Sequence, residues 1–278
     1  MISQQTTVWV VDVFHAPPLL GNPAAVIVAD GRFGSAAEMQ KTAAALMLPT
    51  TAFLVPLEGA WRIRWFTPKE ELNLCGHATL AAAAVLGEVA CRDSYNFQTE
   101  QAGVLVCRTT SKGSMSLDLP SAELSSQAVD PRAAQALAVP VRDAAAAPDD
   151  FLYELADRAA VASAAPDMAQ LAALPWRGHV ITARAAPGEA DFVSRSFFPA
   201  LGVDEDQVCV SAHCKLAPYW AERLGRSEFE ALQLSQRGGR LRVRVEGPRV
   251  HVEGSVRIRR RTDACEELEL AGAGLYRA

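Results

Sequence analysis

Short apolar runs with branched or aromatic residues recur through the first 120 residues: "TTVWVVDVF", "AAVIVAD", "TAFLVPL", "WRIRWFT", "GVLVCRTT" and "SMSLDLP". That composition predicts strands. Two stretches break the pattern. "SAAEMQKTAAALML", residues 35–48, reads as a helix. "GHATLAAAAVLG", residues 76–87, is apolar almost all round, which predicts a helix buried on every side with Gly87 at its C′ position.

Residues 121–150 shift to Ala, Ser, Pro and Asp, with a short helix predicted at "PRAAQALA". A domain boundary is expected near 120, dividing an N-terminal lobe (1–120) from a C-terminal lobe (121–278) whose last residues are free to return to the first. Strands resume at "FLYELA", "GHVITARA" and "DFVSRSFF". An apolar helix, "SAHCKLAPYWAERLG", follows, and then strands at "LRVRVE" and "RVHVEGSVRIR". Pro218 inside that helix predicts a first turn at Ser211 and a bent continuation from the proline. "RIRRRTDACEELEL" reads as a solvated segment, basic and then acidic. Gly238 and Gly239 in "RGGR" read as a turn before a strand, because no helix follows them to cradle a phosphate.

Strands around one buried helix therefore occur twice. The two central stretches, "CGHATLAAAAVLG" and "CVSAHCKLAPYWAERLG", each open with a cysteine, carry Ala three residues later and close on Leu-Gly.

Composition narrows the function. At 278 residues and 50% apolar the chain has ample material for a buried core, and a net charge of −5 supplies no field for nucleic acid or anionic lipid. No run reaches the roughly 18 apolar residues of a membrane span, and the start has no basic-then-apolar leader, so a cytoplasmic protein with a small-molecule partner is expected. Six sparse cysteines without CxxC spacing argue for reduced thiols rather than zinc or disulfides.

A helix N-terminus presents unpaired N–H groups and partial positive charge, which bind carboxylates and acidify a nearby thiol. Cys75 and Cys209 stand at two such starts, Gly76 permits close approach of a ligand to backbone, and Ser211 has the chemistry of a cap. A small anionic substrate fits this pair of termini.

"VDVFHAPPLLGNPAAVIVAD", "RWFTPKEELNLCGHATLAAAAVL", "SRSFFPALGVDEDQVCVSAHCKLAPYWAERLG" and "QLSQRGGRLRVRVEGPRVHVEG" resemble, in order and along nearly the whole chain, the phenazine-biosynthesis isomerase-like (PhzF-like) family. The resemblance implies an α+β fold of the diaminopimelate-epimerase type: two similar lobes, each a β-barrel around a central helix, with the active-site cleft between them. It also implies proton transfer on an unsaturated small acid without metal or organic cofactor, and a homodimer. Carried over residue by residue, it marks Gly76, His77 and Ala78, Asp206, and Ser211 and Ala212 as lining the site. Asn22 and Gly21 match a turn at its border, and Arg195 and Phe197 match a strand leading in.

Two departures from the family pattern matter. The corner usually read "LSETAF", which carries the shuttle glutamate, is "LPTTAF" here, so Thr50 replaces the base. "EDPVTGSAHC" is "EDQVCVSAHC", with Gln207, Cys209 and Val210 in place of proline, threonine and glycine. Three readings follow. In the first, Asp206 and His77 handle the proton of an isomerase in the glutamate's absence. In the second, Cys75 and Cys209 act as the two thiols of an epimerase or racemase. In the third, the chain binds a small acid without catalysis. Plainer roles stand beside these: His77 as a first-turn residue bonded to backbone, Asp206 as a helix cap, Cys75 as a small buried residue.

Overall fold

Each central helix is built by default of polarity. The computed structural model describes residues 7–263 apart from 91, 111 and 112. In it α2 (Gly76–Val89) buries every residue from His77 to Leu86. A helix with no wettable face needs strands around it. They are β1 (Thr7–Val13), β2 (Asn22–Val28), β3 (Thr50–Leu57), β4 (Ala60–Phe66), β5 (Glu71–Leu72), β6 (Ser94–Gln98), β7 (Val104–Thr109), β8 (Met115–Pro120) and β18 (Val256–Asp263). β1 pairs antiparallel with both β18 and β2. From β2 the order runs parallel to β3, antiparallel to β4, parallel to β6, then antiparallel through β7 to β8. α1 (Ala36–Leu46) makes the β2–β3 crossover. It opens on a reciprocal Ser35–Glu38 capping box and closes on Met47 in the left-handed conformation, which sends the chain into Thr50.

The second set has the same plan. Its elements are β9 (Ser125–Ser126), α3 (Pro131–Leu137), β10 (Val141–Ala146), β11 (Asp150–Leu155), α4 (Arg158–Ser163), α5 (Met168–Ala172), β12 (Gly178–Arg184), β13 (Phe192–Phe198), β14 (Val203–Asp206), α6 (Val210–Leu224), β15 (Glu228–Gln233), β16 (Gly239–Glu246) and β17 (Arg249–Gly254). β10–β11 is antiparallel, β11–β12 parallel, β12–β13 antiparallel, β13–β15 parallel, and β15 to β17 antiparallel. The chain thus forms two units: residues 7–15, Asn22–Asp118 and 254–263 in unit 1, and Ala16–Gly21 with Leu119–Glu253 in unit 2.

The pairings align the two units residue by residue. Thr50 and Gly178 are the first residues of β3 and β12, facing Ala24 and Asp150 on the parallel neighbour. Arg64 lies opposite Phe53, and Arg195 opposite Ile181. Each arginine grips a glutamate on the short strand before its central helix, Arg64 Nε to Glu71 at 2.6 Å and Arg195 Nε to Glu205 at 2.7 Å. Cys75 and Cys209 follow those glutamates at equal spacing, so the cysteine-to-cysteine likeness is one register of a complete repeat.

Several expectations need correction. α2 runs past Gly87 to a cap at Ala90, whose N–H bonds Leu86 O at 2.7 Å. Gly87 lies inside the helix, where an added Cβ would meet Tyr95 and Met115 at ordinary contact distance. α6 is one helix through Pro218. Residues 257–263, read as solvated, belong to β18 and are registered against β1 with Arg257, Arg259 and Arg261 exposed; the acidic remainder lies outside the described residues. Four cysteines, Cys75, Cys107, Cys209 and Cys214, are buried free thiols; the other two lie outside the described residues. Among the described residues no helix is long and apolar enough to cross a membrane.

Candidate active site

In unit 1 the α1–β3 corner and the start of α2 bring three predicted residues together. Cys75 is the N-cap residue of α2, and its Sγ lies 3.5 Å from Thr50 Oγ1 and 3.5 Å from His77 Nδ1. Thr79 Oγ1 donates to Cys75 O at 2.6 Å and fixes the cap backbone. Burial acts to raise the Cys75 thiol. The neighbouring His77 charge, with the hydrogen bonds that the sulfur makes to His77 and Thr50, outweighs it and holds the thiol below its ordinary value. Thr50 therefore touches the sulfur. Gly76 and Ala78 complete the first turn, and Asn22, fully buried, opens β2 after the positive-φ turn at Gly21. A cavity of about 270 Å³ beside β4 and β5, lined by residues such as Arg64, Trp65, Glu71 and Asn73, includes none of Cys75, His77 and Thr50.

In unit 2 the N-cap of α6 is Cys209 and not Ser211. Its Sγ accepts from Ala212 N–H at 3.4 Å, and its own N–H donates to Gln233 Oε1 at 2.9 Å. Gln233 Nε2 in turn donates to Asp206 O at 2.5 Å, tying the end of β14 to the helix start. His213, at the position of Thr79, does the same work as that threonine: Nδ1–H donates to Cys209 O at 2.7 Å, leaving Nε2 to face Ser194 Oγ. Its burial pushes the imidazole down to about 4, so it is neutral at physiological pH. Burial, with Asp206 and Asp150 nearby, pushes the Cys209 thiol up. The two topologically matched thiols thus lean in opposite directions.

Arg195 and Phe197 lie on β13, on the face opposite Ser194 and Ser196, with Arg195 ion-paired to Glu205 and donating to Ala164 O at 2.6 Å and Phe197 packed in the core of unit 2. A group that sequence reasoning missed stands at the start of α6. Asp150, at 0% exposure, takes a two-point bond from Arg177 (Nε 2.9 Å, Nη2 2.7 Å) and a short one from buried Lys215. Arg177 Nη2 also reaches Ser211 Oγ at 3.4 Å. Only the lysine interrupting an apolar helix face and the aspartate heading an apolar strand hinted at it.

A family model described as phenazine biosynthesis-like protein matches residues 11–262. The chain belongs to that family. A protein of Pseudomonas aeruginosa described as an uncharacterized isomerase is 45% identical over 246 residues, 88% of this chain and 92% of its own length. The crystal structure of a PhzF-family protein from Enterococcus faecalis superposes with a TM-score of 0.87 at 35% identity, covering 93% of this chain and 98% of that one. At 11% identity a hydroxyproline epimerase of Agrobacterium vitis shares the fold alone, with a TM-score of 0.60. The phenazine biosynthesis-like chain thus has the diaminopimelate-epimerase type of α+β fold, with two similar units of strands around a helix.

Proposed function

We propose that the protein is a cofactor-independent isomerase that moves a proton on a small unsaturated or cyclic carboxylic acid, and that Cys75 is its base. One observation carries this: the acidified Cys75 sulfur sits 3.5 Å from Thr50, where the family places its glutamate, and 3.5 Å from His77. In the resting site Cys75 Sγ donates to Thr50 Oγ1 and lies 3.5 Å from His77 Nδ1, which takes up its proton as the thiolate forms. When substrate binds, the C–H bond breaks and an S–H bond forms, leaving the electron pair to spread into the conjugated acid. The thiol then returns the proton to the far carbon and the double bond shifts, so no redox partner is needed. Asp206 lies near Cys209 in unit 2. A small anionic substrate and a homodimer complete the reading; sedimentation velocity measures the latter.

The test is solvent exchange. Proton NMR in D₂O over a panel of unsaturated and cyclic carboxylic acids should show hydrogen loss with wild type, reduced at least about 100-fold in Cys75→Ser, the scale of general-base catalysis. Undiminished exchange by Cys75→Ser removes Cys75 from the mechanism. No exchange of any acid by wild type leaves a non-catalytic binder.

A second reading, a two-thiol epimerase, is favoured by the matched N-cap positions of Cys75 and Cys209 and by their opposite leanings, the first held below and the second pushed above the ordinary thiol value. It requires that Cys209→Ser also abolish exchange and that the product be the mirror configuration at one carbon.

A further inference from the structure

The repeat supplies its own control for the charged group in unit 2. The pairing that sets Thr50 against Ala24 sets Gly178 against Asp150. Counting from the two N-caps, Lys215 stands where α2 has Ala81, and Arg177 stands where the corner before β3 has Pro49. Unit 1 therefore closes the same junction with alanine, proline and alanine, while unit 2 buries an aspartate and a lysine and ties down an arginine. Exchanging a buried ion pair for apolar residues is commonly neutral or stabilising, so folding alone gives no reason for the charges. Gly178 is shaped around them: a Cβ there would overlap the Phe198 ring and lie 2.7 Å from Asp150 Oδ1.

What the group achieves is the placement of one guanidinium. Asp150 grips the Nε–Nη2 edge of Arg177, Asp149 lies 3.1 Å from Nε, and the Phe198 ring supports the plane at 5.3 Å. Lys215 answers both aspartates, which keeps Arg177 from being fully neutralised by the buried one. Nη1 has no protein partner among the described residues, and the side chain is 35% exposed. Nη2 meets Ser211 Oγ on the first turn of α6, where the Val210 and Ser211 N–H groups also lack an acceptor among the described residues. A second, independent sign lies on β13. Ser196 is fully buried and its Oγ has no partner among the described residues. It shares a strand face with Ser194, which meets His213 of α6, and lies one step farther toward the helix start, opposite Asp206. An orphaned buried hydroxyl, a clamped guanidinium and uncapped N–H groups converge on one end of one helix.

We propose that Arg177 is the carboxylate-recognition residue of unit 2, offering Nη1, beside the Ser211 hydroxyl and the first-turn N–H groups of α6, to an acidic ligand. This goes beyond the isomerase reading by naming an acid-binding group within unit 2, and Arg177 is the specificity-determining residue for it. Asp150 and Lys215 are positioning residues. A planar fork whose other edge is fixed loses little freedom on binding, which suits a carboxylate better than a free lysine would.

Benzoate, with benzamide as its uncharged counterpart, is the probe, followed by calorimetry and by amide shifts of Val210, Ser211 and Ala212. Wild type should bind benzoate at millimolar concentration or better, at least tenfold more tightly than benzamide. Arg177→Gln alone strands a buried carboxylate and risks misfolding. The neutral triple variant Asp150→Asn/Arg177→Gln/Lys215→Met removes all three charges together. It should keep the circular dichroism of wild type and bind benzoate about 10- to 100-fold more weakly, the range for one charge-assisted hydrogen bond. Arg177→Lys should fall between. Full-strength binding by the triple variant, shifts confined to other amides, or no binding by wild type overturns the proposal. Benzoate binding is read without turnover, so failure of the exchange test leaves this result standing, and the reverse holds too.

Discussion

Replacing Thr50 by glutamate should silence the Cys75 thiol. In wild type the sulfur is acidified by His77 and Thr50 against the effect of burial. Alkylation by iodoacetamide should therefore rise with pH to a half-maximum below that of an ordinary thiol. A glutamate carboxylate reaching from position 50 to roughly 4 Å from the sulfur repels a thiolate by about 4 kcal/mol at an effective dielectric of 20. The His77 ring answers to both anions, so about half of that survives, near 2 kcal/mol or roughly 1.5 pH units. The rate at pH 7 should fall about 30-fold. Thr50→Val removes only the hydroxyl and should cost about 1 kcal/mol, a shift just under one unit. The assay is peptide mass spectrometry after timed alkylation from pH 5 to 10. Cys107, fully buried and with its thiol pushed up by burial, reports any global opening. Circular dichroism checks that the Thr50→Glu change is tolerated at a position only 2% exposed. Should Thr50→Glu alkylate Cys75 with the wild-type rate and half-maximum, the coupling between position 50 and the sulfur, and the base assignment built on it, is wrong.

Three further outcomes follow from the geometry. His213 has a folded pKa of about 4 against 6.5 unfolded, so the unfolded chain binds the proton more tightly. Its stabilisation is intact above pH 6.5 and is lost as pH falls toward 4, about 3 kcal/mol in all. Urea titrations of His213→Thr, which adopts the solution of Thr79, should lack that slope, His179 leaving a residual of the same sign because burial lowers it too; identical slopes contradict the assignment. Gly178→Ala drives a Cβ into Phe198 and Asp150 and should cost about 3 kcal/mol or more in a thermal melt. Gly87→Ala, in a helix interior with room for a methyl, should instead stabilise by about 0.5–1 kcal/mol; a loss there means the space beside Tyr95 and Met115 is not available.

How much of this was legible in the sequence depended on how local the signal was. α2 and α6 declared themselves because an apolar stretch longer than a strand has nowhere to lie but a core. β3, β11 and β12 were readable from branched and aromatic residues. β10, "VRDAAA", was not, since alanines carry no strand preference and its pairing comes from β9 and β11. β15, "EFEALQ", is composed largely of helix formers and is held as a strand by β13 and β16. The site divided the same way. Cys75, His77 and Thr50 lie at recognisable corners, whereas Asp150, Arg177 and Lys215 are separated by tens of residues and share no local pattern. Ser211 has good capping chemistry, but β14 ends at Asp206 and leaves Cys209 as the residue with extended backbone.

The return of β18 to β1 has a consequence for how the chain is made. Unit 2 has every strand it needs once Gly254 has been synthesised, whereas unit 1, begun first, lacks one neighbour of β1 and part of the wall around α2 until residues 256–263 emerge. Synthesis and completion therefore run in opposite orders, and the later half of the gene product can fold while the earlier half waits. Through that interval an almost wholly apolar helix and an open strand edge are left incompletely covered, the kind of surface on which nascent chains associate or are held by chaperones.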